Sequence, residues 1–254
     1  MRYILQPIPH YTSALLTAPH ALFTREGGVS KGLFASLNLS YHVGDEVEYV
    51  SANRELVRTA LAFDRLYAAH QVHGDQILVI EENHPVNQET EGYDALITTV
   101  PGTGLLIQQA DCQAVLLSCP EQRVVAAVHC GWRGSVLNII NKTVQCLTEQ
   151  FAVRPETIRA VISPSLGPCC AEFTNYHREL PAWMHAYQVR PHYFNFWAIS
   201  CRQLEESGIL PQHIEVAGLC TRCSRHFFSY RRASAQQNGL TGRNGSVIGL
   251  SSPE

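Results

Sequence analysis

The run GLLIQQADCQAVLLSCPEQRVVAAVHCGWRG, residues 104–134, decides the fold. It holds three apolar segments, GLLIQQ (104–109), AVLLSC (114–119) and VVAAVH (124–129), joined by short polar turns. They lack the alternation of a half-exposed strand and read as strands covered on both faces. After Gly134, the residues Val136, Ile139, Ile140, Val144 and Leu147 recur at helical spacing. Upstream, ALFT (21–24), QILVIE (76–81) and DALITT (94–99) add strands. Asp45 is placed to cap a helix over 46–62, whose Val47, Val50, Leu56, Val57 and Leu61 fall on or near one face. Another helix is expected over 197–207, ended by Gly208. The tally predicts one α/β domain of mixed sheets with helices outside, and no linker divides residues 1–254. The polar stretch ENHPVNQETEGY (82–93) reads as an exposed loop, with a lid as its functional counterpart.

The bulk numbers narrow the function. A chain of 254 residues that is 45% hydrophobic can bury a full core. Only 16% of residues are charged and the net charge is -3, so nucleic acid is not an expected partner. The N-terminal MRYILQPIPHYTS has no continuous apolar run, and no stretch approaches the roughly 18 apolar residues of a membrane helix. A soluble, cytoplasmic protein with no membrane partner is expected. Nine cysteines, an odd number without an export signal, read as reduced thiols. Cys119 and Cys146 sit within apolar patterns and fit buried packing.

Three reactive residues stand where strands end. His73 closes LYAAHQVH, Cys112 lies in the turn between QQAD and QAVLLSC, and His129 closes VVAAVH. Strand ends converge on one rim, so these side chains could meet around a metal at about 2.0–2.3 Å; alternatively, each histidine is a hydrogen-bonded rim residue. Two imidazoles and a thiolate would leave a fourth tetrahedral position open, as in a catalytic zinc site. Asp111 and Gln113 flank the cysteine and are candidates to orient a ligand or take a proton.

Other clusters are weaker. In GWRG, Gly131 and Gly134 allow close backbone approach, and Arg133 stands near a helix start where an anion is welcome. FFSYRR (227–232) and TGR (241–243) supply Tyr230, Arg231, Arg232 and Arg243. On a strand the adjacent Arg231 and Arg232 would point to opposite faces. TREGGVS (24–30) carries Arg25 before a Gly-Gly turn, and NLSYHVGD (38–45) carries Asn38, His42 and Asp45. HRE (177–179) with CTRC (220–223) imitates a zinc deaminase signature, but Leu219 replaces its proline. Cys220 and Cys223 are a redox pair, half a zinc site or, as favoured here, structural thiols. SPSLGPCC (163–170) makes a tight turn that presents Cys169 or Cys170, a nucleophile only if a base lies close. No dinucleotide fingerprint, P-loop or H-x-H pair occurs, and a four-copper cluster is not expected.

In this order, QVHGD, DALIT, QQADCQAVLL, AAVHCGWRG, SPSLGPCC, LCT, FFSYRR and TGR resemble the YfiH/YlmD laccase-domain family over roughly residues 20 to 250. The resemblance implies an α+β fold, a single four-layer α/β/β/α domain with mixed sheets. It places the metal ligands on His73, Cys112 and His129 and implies Zn(II), with copper possible. It implies a purine nucleoside phosphorylase acting on adenosine, inosine, guanosine and methylthioadenosine, with adenosine deaminase activity. Copper-dependent polyphenol oxidation and amidase editing of muropeptide precursors are the alternatives that it carries. Arg25, Asn38, Asp111, Arg133, Tyr230 and Arg231 match polar positions typical of the family. In that frame Asp111 is the candidate proton carrier and Arg25 the candidate phosphate holder, both catalytic. Asn38, Arg133, Tyr230 and Arg231 are candidate substrate contacts. Cys130 stands where alanine is usual, and either softens the site toward copper or packs.

Overall fold

The computed structural model describes residues 1–85 and 89–253. Two mixed sheets carry the fold. From edge to edge, the first orders Arg2–Ile4, His10–Thr12, His20–Phe23, Asn244–Gly249, Thr103–Gln109, Arg65–His70 and Thr90–Glu91. The second orders Ile214–Val216, Arg159–Ile162, Gln113–Cys119, Val124–Cys130, Ala95–Thr98 and Ile77–Ile80. Its outer pairs are parallel and its central hairpin is antiparallel.

The unbroken apolar runs have the cause read from the sequence. Leu96, Ala114, Leu116, Val125 and Ala127 face the other sheet, where Tyr67, Leu105, Ile107 and Ile248 meet them. Their neighbours Ile97, Val115, Leu117, Val124, Ala126 and Val128 face outward and are covered by Ile139, Ile140, Val144 and Leu147 of the helix Ile139–Phe151, with Leu204 of the helix Phe196–Glu206. On the far side of the first sheet, Val57 of the helix Val47–Ala60 packs with Phe23, Ala68, Leu106 and Val247. The central strands of both sheets are thus dry on both faces, while edge strands such as Arg2–Ile4 stay exposed, and the layers run helix, sheet, sheet, helix: an α+β fold.

Local details depart from the sequence reading. Glu46, not Asp45, is the N-cap of the first long helix, and Asp45 instead accepts from Ser30 and Asn38. The helix expected after Gly134 is broken: Trp132–Leu137 ends at Asn138, whose φ of +58° interrupts it before Ile139–Phe151. Helix 197–207 is Phe196–Glu206, followed by Ser207 and by Gly208 at φ +93°. FFSYRR is no strand. The Ser229 side chain accepts from the Arg232 N–H at 3.2 Å and caps a helix, Tyr230–Gln236. Of the loop expected at 82–93, residues 86–88 lie outside the described residues, and Thr90–Glu91 is an edge strand. Glu89 is not a solvated loop residue: its carboxylate is buried against Arg54, His42 and Gln108. Among the described residues, no helix is long and apolar enough to cross a membrane.

Candidate metal centre

Strand register assembles the centre. The hairpin pairs Cys130 with Gln113, which leaves Cys112 just beyond its open end. On the other side Val128 pairs with Ala95, so His129 falls beside Asp94, and the His129 N–H donates to the Asp94 carbonyl at 2.7 Å. His73 is not on a strand as expected. It lies in the turn after Arg65–His70 with φ +61°, a conformation that needs outside support in a residue with a Cβ.

That support is Asp94. Its carboxylate is buried and accepts from the backbone N–H groups of Val72 (3.2 Å), His73 (3.0 Å) and Gly74 (2.7 Å). Its Oδ1 also takes Nδ1–H of His129 at 2.7 Å. One carboxylate therefore fixes the turn bearing one imidazole and the ring orientation of the other. With Nδ1 donating, Nε2 is the ring nitrogen left to bind a cation, which would displace its proton. Burial alone would raise the Asp94 carboxyl, but the hydrogen bond and charge of His129, with the N–H groups of Gly74 and Val72, hold it below the usual range.

The ligand atoms of His73, Cys112 and His129 all lie within 4.8 Å of one another. Cys112 Sγ stands 3.8 Å from His73 Nε2, and the imidazoles meet edge-on with centroids 4.8 Å apart. Burial opposes ionisation of Cys112, yet the charge and hydrogen bond of His129, with those of His73, outweigh it and pull the thiol well below its ordinary range. Burial likewise opposes the His129 imidazolium, and Cys112 and Asp94 outweigh it and raise that group. A thiolate beside imidazole nitrogens, with an outer carboxylate on one ring, is a donor set that fits zinc and leaves a position open.

Gly131 explains how the ligands come this close. A Cβ there would lie 3.0 Å from both Cys112 Sγ and His73 Cδ2. Gly131→Ala should push a ligand aside and weaken metal binding by about 10–100-fold in chelator competition, the scale of losing an outer partner. Unchanged affinity would show that the three groups do not share an ion.

The three residues line a cavity of about 540 Å³, within the usual range for small-molecule sites. Trp132, Phe173, Phe196 and Tyr230 give it aromatic walls, and Arg231 and Arg243 give it cations. Asp111 is the one carboxylate lining it among the described residues. At φ +90°, Asp111 accepts from the Thr221 hydroxyl and the Arg231 N–H, both at 2.6 Å. Arg231 also donates to the carbonyls of Cys170 and Glu172.

Three expected site residues do not reach this cavity. Arg25 donates Nε and Nη2 to the Ala35 carbonyl and stacks on Phe228 with its guanidinium 4.4 Å from the ring centre, bracing a loop away from the cavity. Asn38 is buried and holds the backbone N–H of Arg243 at 2.9 Å, which positions that arginine from behind. Arg133 is exposed and lies over Trp132, at the start of a helix of only six residues. Cys130 packs: it is buried and meets Ser135, and burial pushes its thiol up to about 12. The deaminase likeness dissolves, because Cys220 and Cys223 gather with Cys169 and Cys170, while His177 packs on Tyr176 and His185. Asp94 was missed as a site residue. Its signal was a carboxylate immediately before the buried strand Ala95–Thr98.

Residues 19–251 match the family described as multi-copper polyphenol oxidoreductase laccase. A purine nucleoside phosphorylase of Deinococcus radiodurans is 34% identical, covering 96% of this chain and 93% of the relative. Purine nucleoside phosphorylase YlmD of Geobacillus stearothermophilus is 32% identical over 90% of this chain and 88% of its own. Among solved structures, YfiH of Bacillus licheniformis superposes with a TM-score of 0.88 at 29% identity, covering 98% of this chain and 99% of that one. The motifs, the two-sheet fold and these likenesses agree: the chain belongs to the multi-copper polyphenol oxidoreductase laccase family, with YfiH and YlmD among its relatives.

Proposed function

We propose that this chain is a zinc-dependent purine nucleoside phosphorylase that cleaves adenosine, inosine, guanosine and methylthioadenosine, and that it also deaminates adenosine. One observation carries the reading: an open N,N,S ligand set shares a cavity with two arginines and an aromatic wall. Relatives named purine nucleoside phosphorylase support the same chemistry. When bound, zinc supplies Lewis-acid charge at the open position.

The chain's own residues divide the remaining work. Aromatic faces at Trp132, Phe173 and Tyr230 suit a purine ring. Phosphate needs a guanidinium that faces the cavity, and Arg243 and Arg231 replace Arg25 in that part. Phosphate then attacks C1′ of the ribose as the bond to the base breaks. For deamination, water adds at C6 of adenine and the C6–N bond breaks to release ammonia, and Asp111, a carboxylate lining the cavity, is assigned to carry the proton from the water to the departing nitrogen. Walls drawn from Ser40 to Arg243 support reading residues 1–254 as one working domain. Nine free cysteines fit a reducing cytoplasm, where nucleosides and phosphate are found.

The test is adenosine with and without phosphate. Adenine and ribose-1-phosphate should appear only with phosphate, and inosine in either buffer. The family description favours a second reading, copper-dependent phenol oxidation. Inert nucleosides with copper-dependent oxidation of phenols would replace the proposal by that one. Hydrolysis of a muropeptide precursor alone would replace it by the editing amidase.

A further inference from the structure

Four cysteines that the proposed reaction leaves unused meet on one side of the cavity. The turn after Gly167 presents Cys169 and Cys170, and its backbone closes through Cys170 N–H to the Gly167 carbonyl at 2.9 Å. The turn Cys220–Cys223 is closed by Ser224 N–H on the Cys220 carbonyl, also at 2.9 Å. The two turns are stitched side by side, since Ser165 N–H donates to the Leu219 carbonyl and Thr221 N–H to the Ser165 carbonyl, a bridge across Ser165 and Cys220. Their four sulfurs lie within 4.8 Å of one another, and none is in a disulfide.

We propose that Cys169, Cys170, Cys220 and Cys223 form a second metal site, a structural tetrathiolate zinc centre that shares no ligand with the His73–Cys112–His129 set. Spacing supports it. Bonds of about 2.3 Å to a tetrahedral zinc place sulfurs about 3.8 Å apart. Cys223 Sγ stands 3.7 Å from Cys169 Sγ and 3.5 Å from Cys170 Sγ. A disulfide needs about 2.05 Å and would use the sulfurs two by two.

Charge supports it as well. Four thiolates around a dication leave two negative charges, and arginines surround the cluster. Arg190 donates to the Cys169 carbonyl at 3.0 Å and Arg231 to that of Cys170 at 3.3 Å. Arg232 gathers the carbonyls of Thr221, Arg222 and Ser224 at 2.8–3.1 Å. Cys169 and Cys223 are exposed, so an ion has a way in.

The position says what the ion would do. Residues 163–175 and 217–229 contain no helix or strand and have only turns, bends and isolated bridges to hold them. The first stretch carries Leu166, Ala171 and Phe173 of the cavity wall, and the second carries Thr221, which holds Asp111, and leads to Tyr230 and Arg231. A tetrahedral cross-link here replaces the ordering that regular structure would give.

The experiment uses the full-length Cys112→Ala variant, in which the other set is broken. After dialysis against excess Zn(II) and removal of loosely held ion, it should retain about one zinc per chain. Exchanged with Co(II), it should show sulfur-to-cobalt charge transfer and an intense visible band of tetrahedral thiolate coordination. Zn(II) should also shield these four cysteines from alkylation, read by peptide mass. A Cys220→Ser/Cys223→Ser double variant should lose that ion and melt earlier while keeping the other. Should the double variant fail to fold, the cobalt spectrum of Cys112→Ala decides. A Cys112→Ala protein that holds no zinc, or peptides that show these cysteines as two disulfides after anaerobic isolation, overturns the proposal.

Discussion

Cys112→Ala should lower kcat/KM for adenosine phosphorolysis by roughly 10³-fold, about 4 kcal/mol of transition-state stabilisation, with the fold intact. The substitution removes one of three ligand atoms and keeps the Cβ. Cys112 lies in a turn at the cavity, outside the packed layers, so the cores between and outside the sheets are untouched. Circular dichroism should be unchanged, and the variant should hold one metal equivalent fewer than the parent. Wild-type turnover by the variant would remove the thiolate from the chemistry. Collapse of the fold would instead mark the site as structural.

The second large effect is expected at Asp94. Asp94→Asn keeps the shape but replaces one acceptor oxygen with an NH₂ donor. Oδ1 serves His73 N–H and His129 Nδ1, and Oδ2 serves Val72 and Gly74 N–H. Whichever way the amide turns, it sets donor against donor in a buried place. Two consequences follow. The urea midpoint should fall by an amount equivalent to roughly 3–5 kcal/mol, the scale of breaking a buried pair. Zinc affinity at the His73 site should fall about 10–100-fold, because His129 loses its tautomer and His73 its turn. Cys112→Ala should weaken metal binding with little change of midpoint, so the pair of variants separates ligand from support. An Asp94→Asn protein with unchanged chelator competition would show that the carboxylate does not orient the ligands.

Much of this arrangement was legible in the chain. Unbroken apolar runs with turns between them announced strands dry on both faces, because only burial on two sides permits such runs. Three soft or borderline ligands at turns gave the candidate centre, although His73 proved to stand beyond its strand. Asp94 escaped because hydropathy assigned it to the head of DALITT, and its partners come from two distant segments. Arg25 and Asn38 were polar residues at turns like Arg243, and sequence offers no means of telling which of them lines the cavity. Tyr230 and Arg231 were noticed, but the helix that presents them is announced by one capping serine, Ser229. Cys169 and Cys170 stand some fifty residues from Cys220 and Cys223, so no spacing rule joins them.

The most direct measurement is anomalous diffraction at the zinc edge from crystals of active protein. The expected result is an ion at about 2.0–2.3 Å from His73, Cys112 Sγ and His129 Nε2, with its fourth side open to the cavity. Fully active crystals with no anomalous signal among those three residues would contradict it.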